Sequence, residues 1–295
     1  MSFGWEIYEQ RGIETESMFE RPLDLWASTT VNVAETATIK VPNDKFIHQI
    51  HIYCAKGTAS GARGATAVDE ISEVRFVCDG NKYYKKMTGI QTKEVMRKNN
   101  FRTPTTGFYT LFFTDELVKE AWPLPAWLYT SISLQIDLIA AGATYYNSID
   151  VTTFETDYKN QDLTNAKILI ETYAGVQAFG TATGEQKYEH DRAYKIFSYI
   201  YECADGVTLS DTKFDYLSIQ AFTKEGRVFL KDKVRMVQIK ENNTNAYMSA
   251  PATGMFIVDF PMGLPAYKYT NLRSILNIPT AGTNINVKVL ERYVL

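Results

Sequence analysis

His48 and His51 are the closest-spaced pair of histidines, the side chains best suited here to ligate a metal or move a proton, and the third histidine, His190, lies far along the chain. Residues three apart on an extended strand point to opposite faces, so His48 and His51 cannot share one ion. A cupin-like site would need ligands that 3 His and 3 Cys barely supply. Cys54, Cys78 and Cys203 stand apart in apolar, strand-like segments with no C-x-x-C pair, and are expected as buried free thiols. Gly57–Gly64 (GTASGARG) imitates a phosphate-cradling loop but lacks the Gly-Lys-Ser/Thr ending that places a lysine on the phosphates. Asp150–Asp162 (DVTTFETDYKNQD) could offer oxygen ligands to a hard cation, yet departs from the EF-hand pattern at its glycine and terminal glutamate. It is read as a solvated loop. Structural calcium is the one cofactor it leaves open, with no ligand assigned.

Asn242-Asn243-Thr244 fits the glycosylation triplet and reads as a polar loop. Lys85, Lys86, Lys93, Arg97, Lys98 and Arg102 form the densest basic region. Its plain reading is a solvated helix face; its sharper reading is pairing with acidic loops of a neighbouring copy or with anionic lipid headgroups. No nucleophile, base and orienter converge, so the chain reads as no enzyme, with no catalytic, cofactor-binding or metal residue.

The elements that hold these residues belong to a globular protein of 295 residues, 45% hydrophobic and 13% aromatic, long enough to bury roughly 75% of its unfolded surface. Lys and Arg number 31 against 34 Asp and Glu, a net charge of −3 with both signs interspersed, which argues against direct nucleic-acid binding. The most apolar stretch, Trp127 to Tyr146, is broken by Gln135 and Asp137 and fails as a membrane span. Glu6 and Glu9 stand where a signal peptide would be basic then apolar, so synthesis in a cytoplasm is expected.

Period-two alternation predicts strands at 36–41, 46–54, 71–78, 107–114, 131–139 and 166–173, then at 194–203, 214–222, 254–260 and 285–294. Helices are expected only over Thr92–Asn100, Asp115–Trp122 and Lys231–Glu241. Asp79-Gly80 and Glu225-Gly226 are hairpin turns. An internal repeat organises the whole. KILIETYAG at 167–175 lies over VKVLERYVL at 287–295, placing Glu171 on Glu291 and Tyr173 on Tyr293. GFYTLFF at 107–113 corresponds to GMFIVDF at 254–260, and PLPAW at 123–127 to GLPAY at 263–267. The period is far beyond solenoid repeats and suits an eight-stranded sandwich. The fold expected is all-β: two tandem eight-stranded jelly rolls with a few short helices in loops. The boundaries expected are an N-terminal arm at 1–30, a first roll at 31–175, a linker at 176–189 and a second roll at 190–295.

Three stretches resemble a known family. VNVAETATIKVPNDKFIHQIHIY at 31–53 is a polar-alternating strand, a proline break and a second strand; ISEVRFVCDGNKYYKKMTGIQTKEVMRKN at 71–99 is a strand, hairpin return and helix; the closing Glu-x-Tyr strand is the third. Together they resemble the double jelly-roll major capsid proteins of membrane-containing icosahedral viruses, most of all the corticovirus-type phage coat protein. The resemblance implies a homotrimer whose six rolls form a pseudo-hexagonal capsomer, tiling a shell above an internal membrane while a different protein fills the vertices. It implies a virion location, with its own copies, a vertex (penton) protein and the internal membrane or its associated proteins as partners.

Tyr83, Tyr84, Tyr145, Tyr146, Tyr267 and Tyr269 are then candidate interface residues in loops or at strand ends. The N-terminal stretch with Trp5, Tyr8, Phe19 and Trp26 reads either as an arm reaching a neighbour or the membrane side, or as a strap over its own roll. The alternative from another class is a carbohydrate-binding β-sandwich of a viral spike or adhesin, with Trp5, Trp26, Trp122 and Trp127 as sugar platforms; a plug over the end of the first sandwich accounts equally for Trp122 and Trp127.

Overall fold

The computed structural model describes residues 18–115, 117–139, 145–157, 163 and 166–295. The chain forms two compact units: residues up to Asn100 with Pro104–Ile170, and Phe101–Thr103 with Glu171–Leu295.

The first unit opens with β1 (Phe19–Pro22) and β2 (Trp26–Ala27), followed by β3 (Thr36–Lys40), β4 (Phe46–Gly57), β5 (Thr66–Ala67), β6 (Ile71–Cys78) and β7 (Lys82–Thr88). Helix α1 (Gly89–Asn100) leads to β8 (Phe108–Phe112), the short β9 (Ala121–Trp122) and β10 (Leu124–Pro125), β11 (Ile132–Leu138) and β12 (Tyr146–Thr156). One sheet runs β1/β2, β12, β4, β8 and the other β3, β11, β6, β7. This order, in which successive long strands cross between sheets except at the β6–β7 hairpin, is a jelly roll. Alternation sets the faces: in β3, Ala37 and Ile39 point into the core while Thr36, Thr38 and Lys40 face out. Phe76, Leu111, Leu134, Ile136 and Val151 meet from both sheets. Positive φ at Asp79 and Gly80 makes the tight β6–β7 turn that the dipeptide predicts.

The second unit repeats the pattern. Strand β13 (Lys167–Gly180) enters it at Glu171, and β14 (Gly184–Glu189), β15 (Lys195–Asp205), β16 (Thr208–Leu209), β17 (Tyr216–Thr223) and β18 (Gly226–Arg235) follow. Helix α2 (Met236–Tyr247) precedes β19 (Met255–Pro265), β20 (Asn271–Ile278) and β21 (Ile285–Val294). Its sheets run β13, β21, β15, β19 and β14, β20, β17, β18, strand for strand the order of the first unit. Its core joins Tyr199, Tyr201, Phe256 and Val287 to Leu217, Ile219, Leu272 and Leu276. The helices begin alike: Gln91 Oε1 accepts from Thr88 N (3.1 Å) and Gln238 Oε1 from Arg235 N (3.4 Å). Neither is long and apolar enough to cross a membrane.

The expected boundaries shift by one strand. Residues 19–27 of the expected arm pair with β12 and open the first roll, so this part is a strap over its own roll; residues 1–17 lie outside the described residues. The first roll closes with β12 at Thr156, and the expected linker 176–189 is the end of β13 and all of β14. KILIETYAG therefore opens the second roll, and Glu171 and Glu291 lie on adjacent strands, not equivalent ones. Both strands bury a glutamate in the same sheet, Glu291 on the face of His190 and Glu171 on the opposite face with Arg292. The other two matches coincide with equivalent elements: β8 with β19, and the single turns at Ala126–Leu128 and Ala266–Lys268, whose first amides bond Lys45 O (3.0 Å) and Tyr194 O (3.2 Å). Asp115–Trp122 holds turns and β9 in place of a helix, and Lys231–Arg235 continues β18 before α2 starts.

Candidate functional site

His190 follows β14 and sits in a buried cluster drawn from both sheets of the second roll. Its Nδ1 is 2.9 Å from Glu291 Oε1 on β21, its Nε2 2.7 Å from Ser274 Oγ on β20, and Ser274 Oγ is 2.6 Å from the Tyr201 hydroxyl on β15. One proton arrangement satisfies every contact: Tyr201 donates to Ser274, Ser274 to His190 and His190 to Glu291. Burial pushes the Tyr188 phenol up to about 12 and those of Tyr199 and Tyr201 higher still, so all three stay protonated. The His190 ring stacks on Tyr199 at 4.0 Å. Serine, histidine and carboxylate in this order have the connectivity of a hydrolytic triad. Ser274 and Tyr201 are fully buried, however, so no substrate reaches the hydroxyl, and the network ties the two sheets together. Sequence reading gave His190 no partners and missed this convergence, because its partners lie far away on strands whose polar residues point inward.

His48 and His51 both lie on β4 with unrelated partners. His48 is buried, its Nε2 2.9 Å from Thr156 Oγ1; His51 packs between the rings of Phe108 and Phe154. Burial lowers both pKa values to about 4. The unfolded chain, with histidine near ~6.5, binds protons that the folded chain refuses. The stabilising contribution is therefore whole above that value and is lost as pH falls from it toward about 4. Thermal melts across this window should show a falling midpoint, with a shallower fall in His48→Gln; an identical profile in the variant would remove His48 as a cause.

The basic region divides. Lys85, Arg97 and Lys98 are buried, which corrects their reading as a solvated or lipid-facing surface. Lys85 Nζ donates to Leu169 O (3.0 Å) over the Phe113 ring, and Arg97 Nε to Glu94 Oε2 (2.7 Å). Arg102 is exposed and Lys86 half-buried. Lys93 belongs to a knot present in both rolls. Asp69 Oδ1 accepts from Gly107 N (2.6 Å) and Lys93 Nζ, and Lys93 also reaches Thr105 O (3.1 Å). In the second roll, Asp211 Oδ1 accepts from Gly254 N (2.7 Å) and Lys240 Nζ (2.8 Å), and Lys240 reaches Ala252 O (3.1 Å). Each ammonium lies over a ring, Tyr109 or Phe256. Each glycine carbonyl accepts from a cysteine amide, Cys54 or Cys203, at 2.7 and 2.8 Å. The signal was legible as Gly-x-aromatic with a lysine at the same distance upstream, Lys93 to Gly107-Phe108-Tyr109 and Lys240 to Gly254-Met255-Phe256.

Other singled-out residues fall apart. Tyr83 and Tyr84 are within β7, and Tyr84 is buried against the Tyr129 hydroxyl at 2.6 Å. Tyr145 and Tyr267 are exposed, Tyr146 and Tyr269 half-buried. Trp26, Trp122 and Trp127 are half-buried, and Trp127 packs edge-on against Phe46 at 4.5 Å; Trp5 lies outside the described residues. The Gly57–Gly64 loop is pinned by Gly64 N to Ser148 Oγ (2.7 Å) and by Arg63 to Asp150 (3.0 Å), with Gly64 pressed on the Lys56 backbone. Asp150 to Thr156 is strand, Asp157 pairs with Lys45, and 158–162 lie outside the described residues. Among the described residues no group of three or more His, Cys, Asp or Glu is placed to hold a metal ion. Asn243 is buried in α2, exchanging hydrogen bonds with the Ile257 backbone. All three cysteines are free and buried, with Cys54 and Cys78 pushed up to about 12 by desolvation.

Two tandem rolls of this strand order, with short helices and single-turn corners at matching places, are the double jelly-roll fold of viral major capsid proteins. The STIV MCP matches with 13% identity and TM-score 0.73 over 95% of this chain and 97% of its own. A chain in the atomic structure of Sulfolobus Turreted Icosahedral Virus matches with 13% identity and TM-score 0.74, over 95% and 91%. The major capsid protein P2 from Bacteriophage PM2 matches with 12% identity and TM-score 0.63, over 94% and 98%. No family model and no curated protein matches the sequence. At these identities the likeness establishes the fold.

Proposed function

We propose that this chain is the major capsid protein of an icosahedral virus and works in the virion by self-association. The observation that carries this reading is mutual coverage: this chain and capsid proteins of the same architecture span one another nearly end to end, both rolls included. Interspersed charge at −3 suits a protein that packs against its own copies, and exposed Leu128 and Tyr267 at the single-turn corners, with Met262 on β19, offer apolar contact. In the finer reading three copies form a pseudo-hexagonal capsomer of six rolls, vertices are filled by another protein, and the shell encloses a membrane. The purified chain is expected to sediment near three times 33.5 kDa with a hexagonal outline by electron microscopy; a monomer at every concentration would overturn the capsid reading. Particles free of lipid would remove the membrane.

A further inference from the structure

The two rolls correspond without a gap from the strand before each helix to the strand after it. The Thr88–Gln91 and Arg235–Gln238 caps, the Lys93 and Lys240 knots, and Gly107 with Gly254 all keep one spacing. In each roll the helix packs on the strands that end its two sheets, β7 and β8 or β18 and β19. One contact confirms the register: Thr110 N donates to Met96 Sδ at 3.0 Å in the first roll, where Asn243 exchanges hydrogen bonds with the Ile257 backbone in the second.

Along this correspondence the second roll fills less space. Met87 of β7 is answered by Val234, Met96 of α1 by Asn243 and Phe112 of β8 by Asp259, and Tyr84, whose hydroxyl meets that of Tyr129, is answered by Lys231. All four first-roll residues are buried. In the second roll a cavity of about 200 Å³ lies against α2 at these positions. Buried Leu217, Ile239 and Val258 give it an apolar floor with half-buried Val234. Exposed Lys231, Asn242 and Ala246 surround the mouth, so a solute can enter from outside. An apolar cavity of ~150 Å³ takes a benzene ring, so this one has room for a chain of about eight carbons.

Two charged groups line the cavity. Asp259 accepts from the Tyr247 hydroxyl at the end of α2. Lys231 has no hydrogen-bond or ion-pair partner among the described residues. Of the charges nearby on β18 and α2, Arg235 pairs with Asp215 and Lys240 with Asp211, Lys233 lies over the Tyr216 ring, and Asp232 and Glu241 are exposed to water. The uncommitted charge at the mouth is thus a cation above an apolar slot, and the Asn242 amide can add a second donor.

We propose that this cavity binds a small aliphatic carboxylate, its chain on the apolar floor and its carboxylate on Lys231 and Asn242. Such a ligand joins apolar burial to a charge-assisted hydrogen bond. An alcohol of the same length gains the burial alone, and an amine meets the ammonium.

The whole chain is titrated calorimetrically with octanoate, 1-octanol and octylamine. One octanoate per chain is expected, with octanol and octylamine each weaker by about tenfold or more. Lys231→Gln should bring octanoate down to the level of octanol. Val234→Met, which places the first roll's residue there, and Ala246→Leu, at an exposed helix position over the mouth, should each weaken octanoate and octanol alike by about tenfold or more, with the unliganded melting midpoint kept. Absence of saturable octanoate binding in the wild type, octylamine as the tighter ligand, or wild-type affinity in Lys231→Gln or in both filling variants overturns the proposal. Each of these leaves the capsid reading standing, because assembly is measured separately.

Discussion

Glu171→Ala is expected to cost about 3–5 kcal/mol of folding stability, because it leaves a buried guanidinium without its carboxylate. Arg292 Nε donates to Glu171 Oε1 at 2.7 Å, and both side chains have 0% exposure. The penalty comes from the surviving charge, which water cannot reach, more than from the lost contact. Replacing both partners with apolar residues of similar volume, Glu171→Leu with Arg292→Met, should therefore restore much of the loss. Denaturant midpoints of the three proteins decide it. A single variant that loses less than about 1 kcal/mol would mean the pair behaves as a surface ion pair.

Gly254→Ala and Gly107→Ala form the second large effect. Both glycines have φ near the left-handed region, +70 and +74, and an added Cβ would stand 2.5 Å from the carbonyl oxygen of Cys203 or Cys54. Strain and overlap together are expected to cost about 3 kcal/mol at each site. Gly206→Ala has a similar φ of +64 with open space around it, and should lose about 1–2 kcal/mol, the conformational part alone. Thermal or denaturant melts of the three variants separate the two causes. The sites lie in different rolls and should add in the double variant; a neutral Gly254→Ala would show that the knot is not closely packed.

The strands that alternate cleanly were legible, β3, β4, β6 and β21 among them, because each buries one face and repeats with period two. Strands with inward polar groups were not. β20 carries Ser274 into the His190 cluster and β12 carries Asn147, Ser148, Thr153 and Glu155 as buried residues, so their sequences read as loop. The basic region misled for the same reason in reverse: Lys85 and Arg97 are satisfied inside by a carbonyl and a carboxylate that no local pattern announces. The repeat was visible, but the gapless match at 167–175 drew the roll boundary one strand late. Buried glutamates on neighbouring strands of one sheet look, in sequence, like the same strand twice.

That boundary has a consequence for synthesis. The first roll begins at β1 and closes at β12, which pairs with β1 and β4 across more than half of the first unit. All of its strands leave the ribosome before β14, so it can complete its sheets while most of the second roll is still untranslated. The order of emergence then separates two halves with the same strand order, and most strands of the later half emerge after those of the first have paired. A duplicated chain whose halves could exchange partners is thereby kept from mispairing by the direction in which it is made.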